Sequence, residues 1–150
     1  MNITEIRVKL IDDQRDKLRG FASLTVDHCL VIRDLKVIDG AKGLFVAMPS
    51  RKLHDRCPSC SGKNHIRARF CNDCGLRLRE GRGDVDDRGR VRLYADIAHP
   101  IHQEGRDEVQ ARVVAAYRHE MECSKQDGYV PPRFDDLDYH EFAQDVSGTV

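Results

Sequence analysis

At 150 residues the chain has room for one hydrophobic core and a small appendage. A third of its residues are charged, yet the formal net charge is zero, aromatics make up 6% and tryptophan is absent. No apolar run is long enough to span a bilayer, and Met1-Asn2-Ile3-Thr4-Glu5 is not an apolar signal segment, so a reducing cytoplasmic setting is expected.

Residues 3–11 alternate, with Ile6, Val8 and Leu10 on one face and Arg7 and Lys9 on the other, the pattern of a half-buried strand. After a polar turn, residues 18–27 predict a second strand with Ala22, Leu24 and Val26 inward. Asp27-His28 turns the chain into a third, more apolar strand over 29–38, where Arg33-Asp34 interrupts the apolar run as a bulge would. Asp39-Gly40 turns again, and Gly43–Met48 predicts a fourth strand that Pro49 ends.

The middle of the chain is different in kind. Cys57, Cys60, Cys71 and Cys74 form two Cys-x-x-Cys pairs ten residues apart, followed by Gly62 and Gly75. Each pair aims two sulfurs at one point, and two pairs complete a tetrahedron around Zn²⁺. Four thiolates leave no open coordination position, which marks a structural zinc and argues against a zinc hydrolase. His54 and His65 border the site as lesser ligand candidates, and Phe70 is expected to pack beneath a metal knuckle. A redox pair or two disulfides fit less well, because redox motifs usually come singly and nothing marks the chain as exported.

Charge is segregated around these cysteines. From Arg51 to Leu93 there are twelve Lys/Arg against six Asp/Glu, a formal +6, so the remainder carries −6. A divalent ion on four thiolates subtracts about two units from the insert. A basic insert in an acidic protein suits a polyanionic partner, DNA or RNA. The candidate contacts are Arg51, Lys52, Lys63, Arg67, Arg69, Arg77 and Arg79. The spacing of two in Arg67/Arg69 and Arg77/Arg79 puts each pair on one side of an extended segment. Base reading has less support, since Phe70 is the only aromatic within the ribbon.

Glu80 to Arg90 is rich in Gly, Asp and Arg and reads as part of a flexible return over 81–93. Residues 91–97 predict a fifth strand. A helix from about Glu104 to Cys123 carries Val109, Val113, Ala116, Tyr117 and Met121 on one face; His102 or Gln103 must cap it, and Gly105 weakens its first turn. Cys29 and Cys123 are simplest as buried apolar residues. His99 and Asp96 read as local turn or pairing residues. The tail 124–150 is acidic, with six Asp/Glu against two Lys/Arg from Lys125 onward, and carries Tyr129, Phe134, Tyr139 and Phe142. It is expected to be mobile, and its charge would let it fold back on the insert and compete with nucleic acid.

Several segments together resemble the SpoVG family (stage V sporulation protein G, or septation protein). They are Asn2-Ile3-Thr4-Glu5-Ile6-Arg7-Val8, Phe21–Asp27, Val31–Gly40, Gly43-Leu44-Phe45-Val46-Ala47-Met48-Pro49-Ser50-Arg51-Lys52 and Asp96-Ile97-Ala98-His99-Pro100-Ile101. The resemblance covers about 2–52 and 94–122. It implies an α+β fold, a small antiparallel sheet with one C-terminal helix, assembled as a homodimer. It also implies a bacterial regulator that binds DNA and RNA and affects septation and gene expression. The chain departs from that pattern by the roughly forty residues between the Arg51-Lys52 end and the Asp96 segment, which look like a short zinc ribbon. The expected organisation is a discontinuous domain of 1–52 and 94–123, a ribbon at 53–80, the return and the tail. The rival reading is a ribbon adaptor for a protein of division or transcription, reached through the ribbon or the tail. An enzyme is not expected, because no nucleophile–base set stands out.

Overall fold

The computed structural model describes residues 1–13 and 15–133. The chain forms two compact units, Met1–Pro49 with the chain from Ala98 onward, and Ser50–Ile97.

The first unit is an antiparallel four-stranded meander, β1 (Ile3–Leu10), β2 (Leu18–Val26), β3 (Leu30–Gly40) and β4 (Gly43–Ala47), in sequential order, with one helix, α1 (Gln103–Ser124). The fold is therefore α+β, a small antiparallel sheet with a C-terminal helix. Alternation sets the strands: Ile3, Val8, Ala22, Leu24, Leu35 and Val37 are buried and meet Val109, Val113 and Tyr117 of α1. Full burial of an aliphatic side chain contributes about 1.5–3 kcal/mol, so this layer dominates the unit's stability.

The register slips where the sequence interrupts alternation. Ala22 pairs with Leu35 but Leu24 pairs with Ile32, which places an extra residue in β3 at Arg33-Asp34. Asp34 there has φ of 62°, a left-handed conformation that Asp tolerates better than most residues. The bulge keeps Leu35 and Val37 on the core face despite the two charged residues before them.

The helix packs mainly against the two edge strands, β1 and β4. Gln110 works as a surrogate strand residue. Its Oε1 accepts from the Val46 amide at 2.8 Å and its Nε2 donates to the Leu44 carbonyl at 3.0 Å. The side-chain amide thereby occupies outward backbone groups of an edge strand that would otherwise be open for pairing. On the other edge Arg112 donates to the Ile3 carbonyl at 3.0 Å. His102 is the N-cap, its Nδ1 accepting from the Gly105 amide at 3.0 Å. Gly105 suits this turn, since a Cβ would come within 3.3 Å of the His102 ring and 3.4 Å of Pro100.

Three expectations are corrected here. Met121 is exposed, because the helix outlasts the sheet it covers, and Val114 takes its place among the buried residues. Cys29 is exposed rather than buried, since Asp27 and His28 are both left-handed and the turn lifts it off the sheet. The strand expected over 91–97 is only β8 (Tyr94–Asp96), and it pairs outside the main sheet. Phe134, Tyr139 and Phe142 of the tail lie outside the described residues. Tyr129 is within them, and its hydroxyl donates to Glu120 of α1.

In the second unit β5 (Ser50–Lys52) pairs with β8, and β6 (His54–Arg56) pairs with β7 (Lys63–His65), both antiparallel. The junctions expected at 52 and 94 thus fall within a strand pair that belongs to the insert. The return over 81–93 carries hydrogen-bonded structure of its own: Val85 bridges Val91, and Asp86 and Arg90 close a turn with Asp86 N–H donating to Arg90 O at 2.8 Å.

Candidate metal centre and its basic surround

The two Cys-x-x-Cys segments fold as near copies. Ser61 N–H donates to Cys57 O at 2.9 Å and Gly75 N–H to Cys71 O at 3.0 Å. Cys57 N–H donates to Gly62 O and Cys71 N–H to Leu76 O, both at 2.8 Å. The residue directly after each second cysteine is left-handed, Gly75 at φ 77° and Ser61 at φ 62°. The conformational freedom expected at Gly62 is therefore needed one position earlier. Gly62 instead supplies an amide to Cys60 Sγ at 3.4 Å.

All four sulfurs lie within 4.8 Å of one another. Cys57 and Cys74 are 3.7 Å apart and Cys60 and Cys71 3.5 Å apart. Sulfurs at ~2.3 Å from a tetrahedral ion are ~3.8 Å from each other, so the cluster fits a metal with little movement. Amide donors already face it: Ser59 N–H to Cys57 Sγ and Asn64 Nδ2 to Cys71 Sγ, each at 3.4 Å. These donors favour thiolate over thiol.

The thiols of the cluster differ in how readily they ionise. The Cys74 amide, then the Asn64 side chain, brings Cys71 down to about 6. At Cys60 the Gly62 amide also favours the thiolate. Cys71, Cys74 and Cys57, together with desolvation, outweigh it and push Cys60 up to about 12. One thiolate forms readily and its neighbour resists, as like charges sharing a site must.

Two supporting residues carry no signal in the cysteine spacing. Asn64 is buried and clamps the two knuckles, donating to Gly62 O and Cys71 Sγ while its Oδ1 accepts from the Asn72 amide at 2.8 Å. Arg82 ties the return to the ribbon. Its guanidinium pairs with Asp55 and donates to the carbonyls of His65, Ile66, Ala68 and Arg79. A basic return segment looks solvated in sequence, and only its burial against exposed carbonyls singles Arg82 out.

Phe70 is not under the knuckle. It is 58% exposed and bridges Arg77, while Leu78 and Ala68 pack on Cys57 and Cys71. Alternation along Phe70–Arg79 explains the swap, because a buried Leu78 turns Arg77 and Arg79 outward. His54 and His65 lie outside the sulfur cluster. His65 Nδ1 accepts from the Arg67 amide at 3.1 Å, and the two rings meet edge to face at 6.2 Å.

The seven basic candidates are all exposed but do not form one group. Arg51 and Lys52 are on β5 and Lys63 opens β7. Arg67 sits in a turn, so Arg67 and Arg69 are not an extended pair. Arg67, Arg69 and Arg79 line an open groove of about 1020 Å³, whose other walls include Ile66, Arg82, Arg90, Val91, Leu93 and Tyr94. Arg77, Lys63, Arg51 and Lys52 do not line it. No helix among the described residues is long and apolar enough to cross a membrane.

The sequence matches known proteins over most of its length. The family model described as SpoVG matches residues 1–119. A "Putative septation protein SpoVG" of Anaeromyxobacter sp. (strain K) is 31% identical over 141 residues, 94% of this chain and 99% of the relative. The protein of that name from Lachnospira eligens is 37% identical over 117 residues, 78% of this chain and 91% of its own length. That from Bdellovibrio bacteriovorus is 34% identical over 121 residues, 81% of this chain and 77% of its own. With a meander sheet, a C-terminal helix and these relatives, the chain belongs to the SpoVG family.

Proposed function

We propose that the protein is a nucleic-acid-binding regulator of the SpoVG type, a homodimer acting in the cytoplasm on septation and gene expression. It carries out no catalytic step. In this reading a structural zinc ion crosslinks Cys57, Cys60, Cys71 and Cys74, and the insert extends the basic surface toward DNA or RNA. One observation supports it above the rest: a closed four-sulfur cluster of tetrahedral dimensions sits beside arginines that face solvent. Even after a divalent ion on four thiolates subtracts about two units, the insert keeps roughly +4 of its formal +6. Two copies in a dimer would add avidity without strong contacts per copy.

The test pairs metal analysis with binding. Purified protein should contain one zinc per chain by native mass spectrometry. Its gel shift with polynucleotide should weaken steeply with salt, because each neutralised phosphate releases counterions. Metal-free protein that binds as well as the zinc form, or a flat salt response, would overturn the reading. The adaptor reading draws on the exposed Phe70 and Val85, which are 58% and 61% exposed on the insert. A protein partner retained in pull-downs after nuclease treatment would favour it.

A further inference from the structure

We infer that the groove of the inserted unit is a site for single-stranded nucleic acid, with Tyr94 as the stacking platform and Arg67, Arg69 and Arg79 on the phosphates. This rests on the proposed nucleic-acid function and adds the strand form and the residues.

The cations of the groove divide by what they already hold. Arg82 is committed to Asp55 and four carbonyls, and Arg90 pairs with Asp86 at 3.0 Å. Arg67, Arg69 and Arg79 are exposed and make no side-chain ion pair among the described residues. Glu80 and Asp86 are the acidic residues of the lining, and Asp86 is already paired. The surplus therefore stands ready for anionic groups from outside.

Tyr94 supplies the second half of the chemistry. It is 54% exposed beside Val91, which is 39% exposed, and Leu93 lies between them in sequence. An aromatic ring left open next to unpaired guanidinium groups matches the two elements of single-strand binding, stacking and backbone charge. The ring is also firmly mounted. Tyr94 lies in β8 directly opposite Lys52 of β5, and residues facing each other across antiparallel strands project to the same face. Lys52 shares that face of the strand pair but does not line the groove.

Size and shape choose between occupants. About 1020 Å³ is at the upper end of small-ligand pockets, and this groove is open rather than enclosed, which suits a polymer crossing it. A duplex hides its base faces, so it would use the arginines and leave Tyr94 idle. An acidic polypeptide would likewise need the cations but not the ring.

The experiment uses the full-length, metal-loaded protein and fluorescence anisotropy, with affinities compared at one fixed salt concentration and slopes taken from a salt series. The probes are a mixed-sequence 20-mer, the same sequence as a duplex, and a polyglutamate peptide of matched charge. Tyr94→Ala is expected to weaken the single strand roughly 5- to 150-fold, the range for losing one stacked base, and Tyr94→Phe to restore it. Duplex affinity should change little in either variant. Replacing Arg67, Arg69 and Arg79 together by Gln should lower the single-strand salt slope by about 2, at ~0.7 per phosphate. Unchanged metal content and hydrogen exchange of the insert show that the variants fold. If Tyr94→Ala leaves single-strand binding intact while the protein still binds nucleic acid, the groove assignment is overturned and the proposed function stands. If polyglutamate binds more tightly than the 20-mer and neither responds to Tyr94, the site belongs to an acidic polypeptide. If no polynucleotide binds at any salt, both this inference and the proposed function are lost.

Discussion

Arg82→Ala is the sharpest test of how the insert is held together. The guanidinium is 15% exposed and its partner Asp55 27% exposed; the pair falls on Asp55 Oδ2, while Asp55 Oδ1 is buried with no hydrogen-bond partner. Truncation removes one ion pair and the donors to four carbonyls, those of His65, Ile66, Ala68 and Arg79. A hydrogen bond to a charged group is worth about 1.5–3 kcal/mol, and water will replace some of those lost at the more open carbonyls. Breaking a half-buried pair adds the cost of leaving Asp55 without its counter-charge. A net loss of about 2–4 kcal/mol for the insert follows, less than the sum because the contacts share one side chain. Hydrogen–deuterium exchange by mass spectrometry resolves this locally. Amides over 63–93 should exchange roughly 30-fold to nearly 1,000-fold faster, at tenfold per ~1.4 kcal/mol, while β2 and β3 keep their protection. Arg82→Lys should recover only part, because a point charge cannot reach Asp55 and the carbonyls at once. Insert exchange within a factor of two of the parent protein would refute the keystone role.

Other perturbations test separate parts of the structure. Ser61→Gly should stabilise the insert by about 1 kcal/mol, since Ser61 holds the left-handed position that Gly75 occupies in the second knuckle; a higher chelator concentration needed to strip the metal would register it. Gln110→Ala should cost the sheet–helix unit about 1–3 kcal/mol in urea unfolding, because the Val46 amide and Leu44 carbonyl lose their partner. The same change opens the β4 edge, so a rise in aggregation by light scattering is expected. Removing residues 127–150 should raise affinity for RNA at fixed salt if the acidic tail competes for the basic insert; unchanged affinity dismisses that competition.

Much of the fold was legible because alternation and turn chemistry act locally. The Ile6-Val8 pattern and the spacing of Val109, Val113 and Tyr117 each point to the element that forms, whereas Asp39-Gly40, expected as a turn, ends β3 in ladder pairs with Leu44 and Gly43 and the turn falls at Ala41-Lys42. Arg33-Asp34 marked its bulge because, with unbroken alternation, one of two consecutive charged residues would face the core. The cysteine spacing likewise located the sulfur cluster. What escaped was long-range. Nothing near Gln110 announces that it completes strand β4, sixty-four residues earlier at Val46. Arg82 looks like any solvated arginine until the carbonyls of 65–68 converge on it. Phe70 was misplaced because an aromatic beside a cysteine suggests a packed knuckle, yet Leu78 from the opposite limb fills that space. Tyr94 was counted only as a strand residue, and its role depends on a groove whose other walls come from separate segments around Ile66–Arg69 and Arg79–Arg82.

The pairing of β5 with β8 explains how a meander sheet tolerates so large an insertion. Ser50↔Asp96, Arg51↔Ala95 and Lys52↔Tyr94 close the inserted unit on itself, so its ends leave side by side. Without such a stem, extending a connection from about four to forty residues would cost the host about 2 kcal/mol of closure entropy, from the logarithmic dependence on length. With it, the host sees a short, closed connection whatever lies beyond Lys52. Replacing residues 53–93 by a two-residue Asn-Gly turn, which suits a hairpin, should keep β5 and β8 paired. The remaining sheet and helix should then unfold in urea within about 2 kcal/mol of the parent unit, with unchanged exchange protection at Leu35 and Val113. A larger loss of stability, or lost protection at those two core residues, would show that the host relies on the insert for more than a place to join its ends.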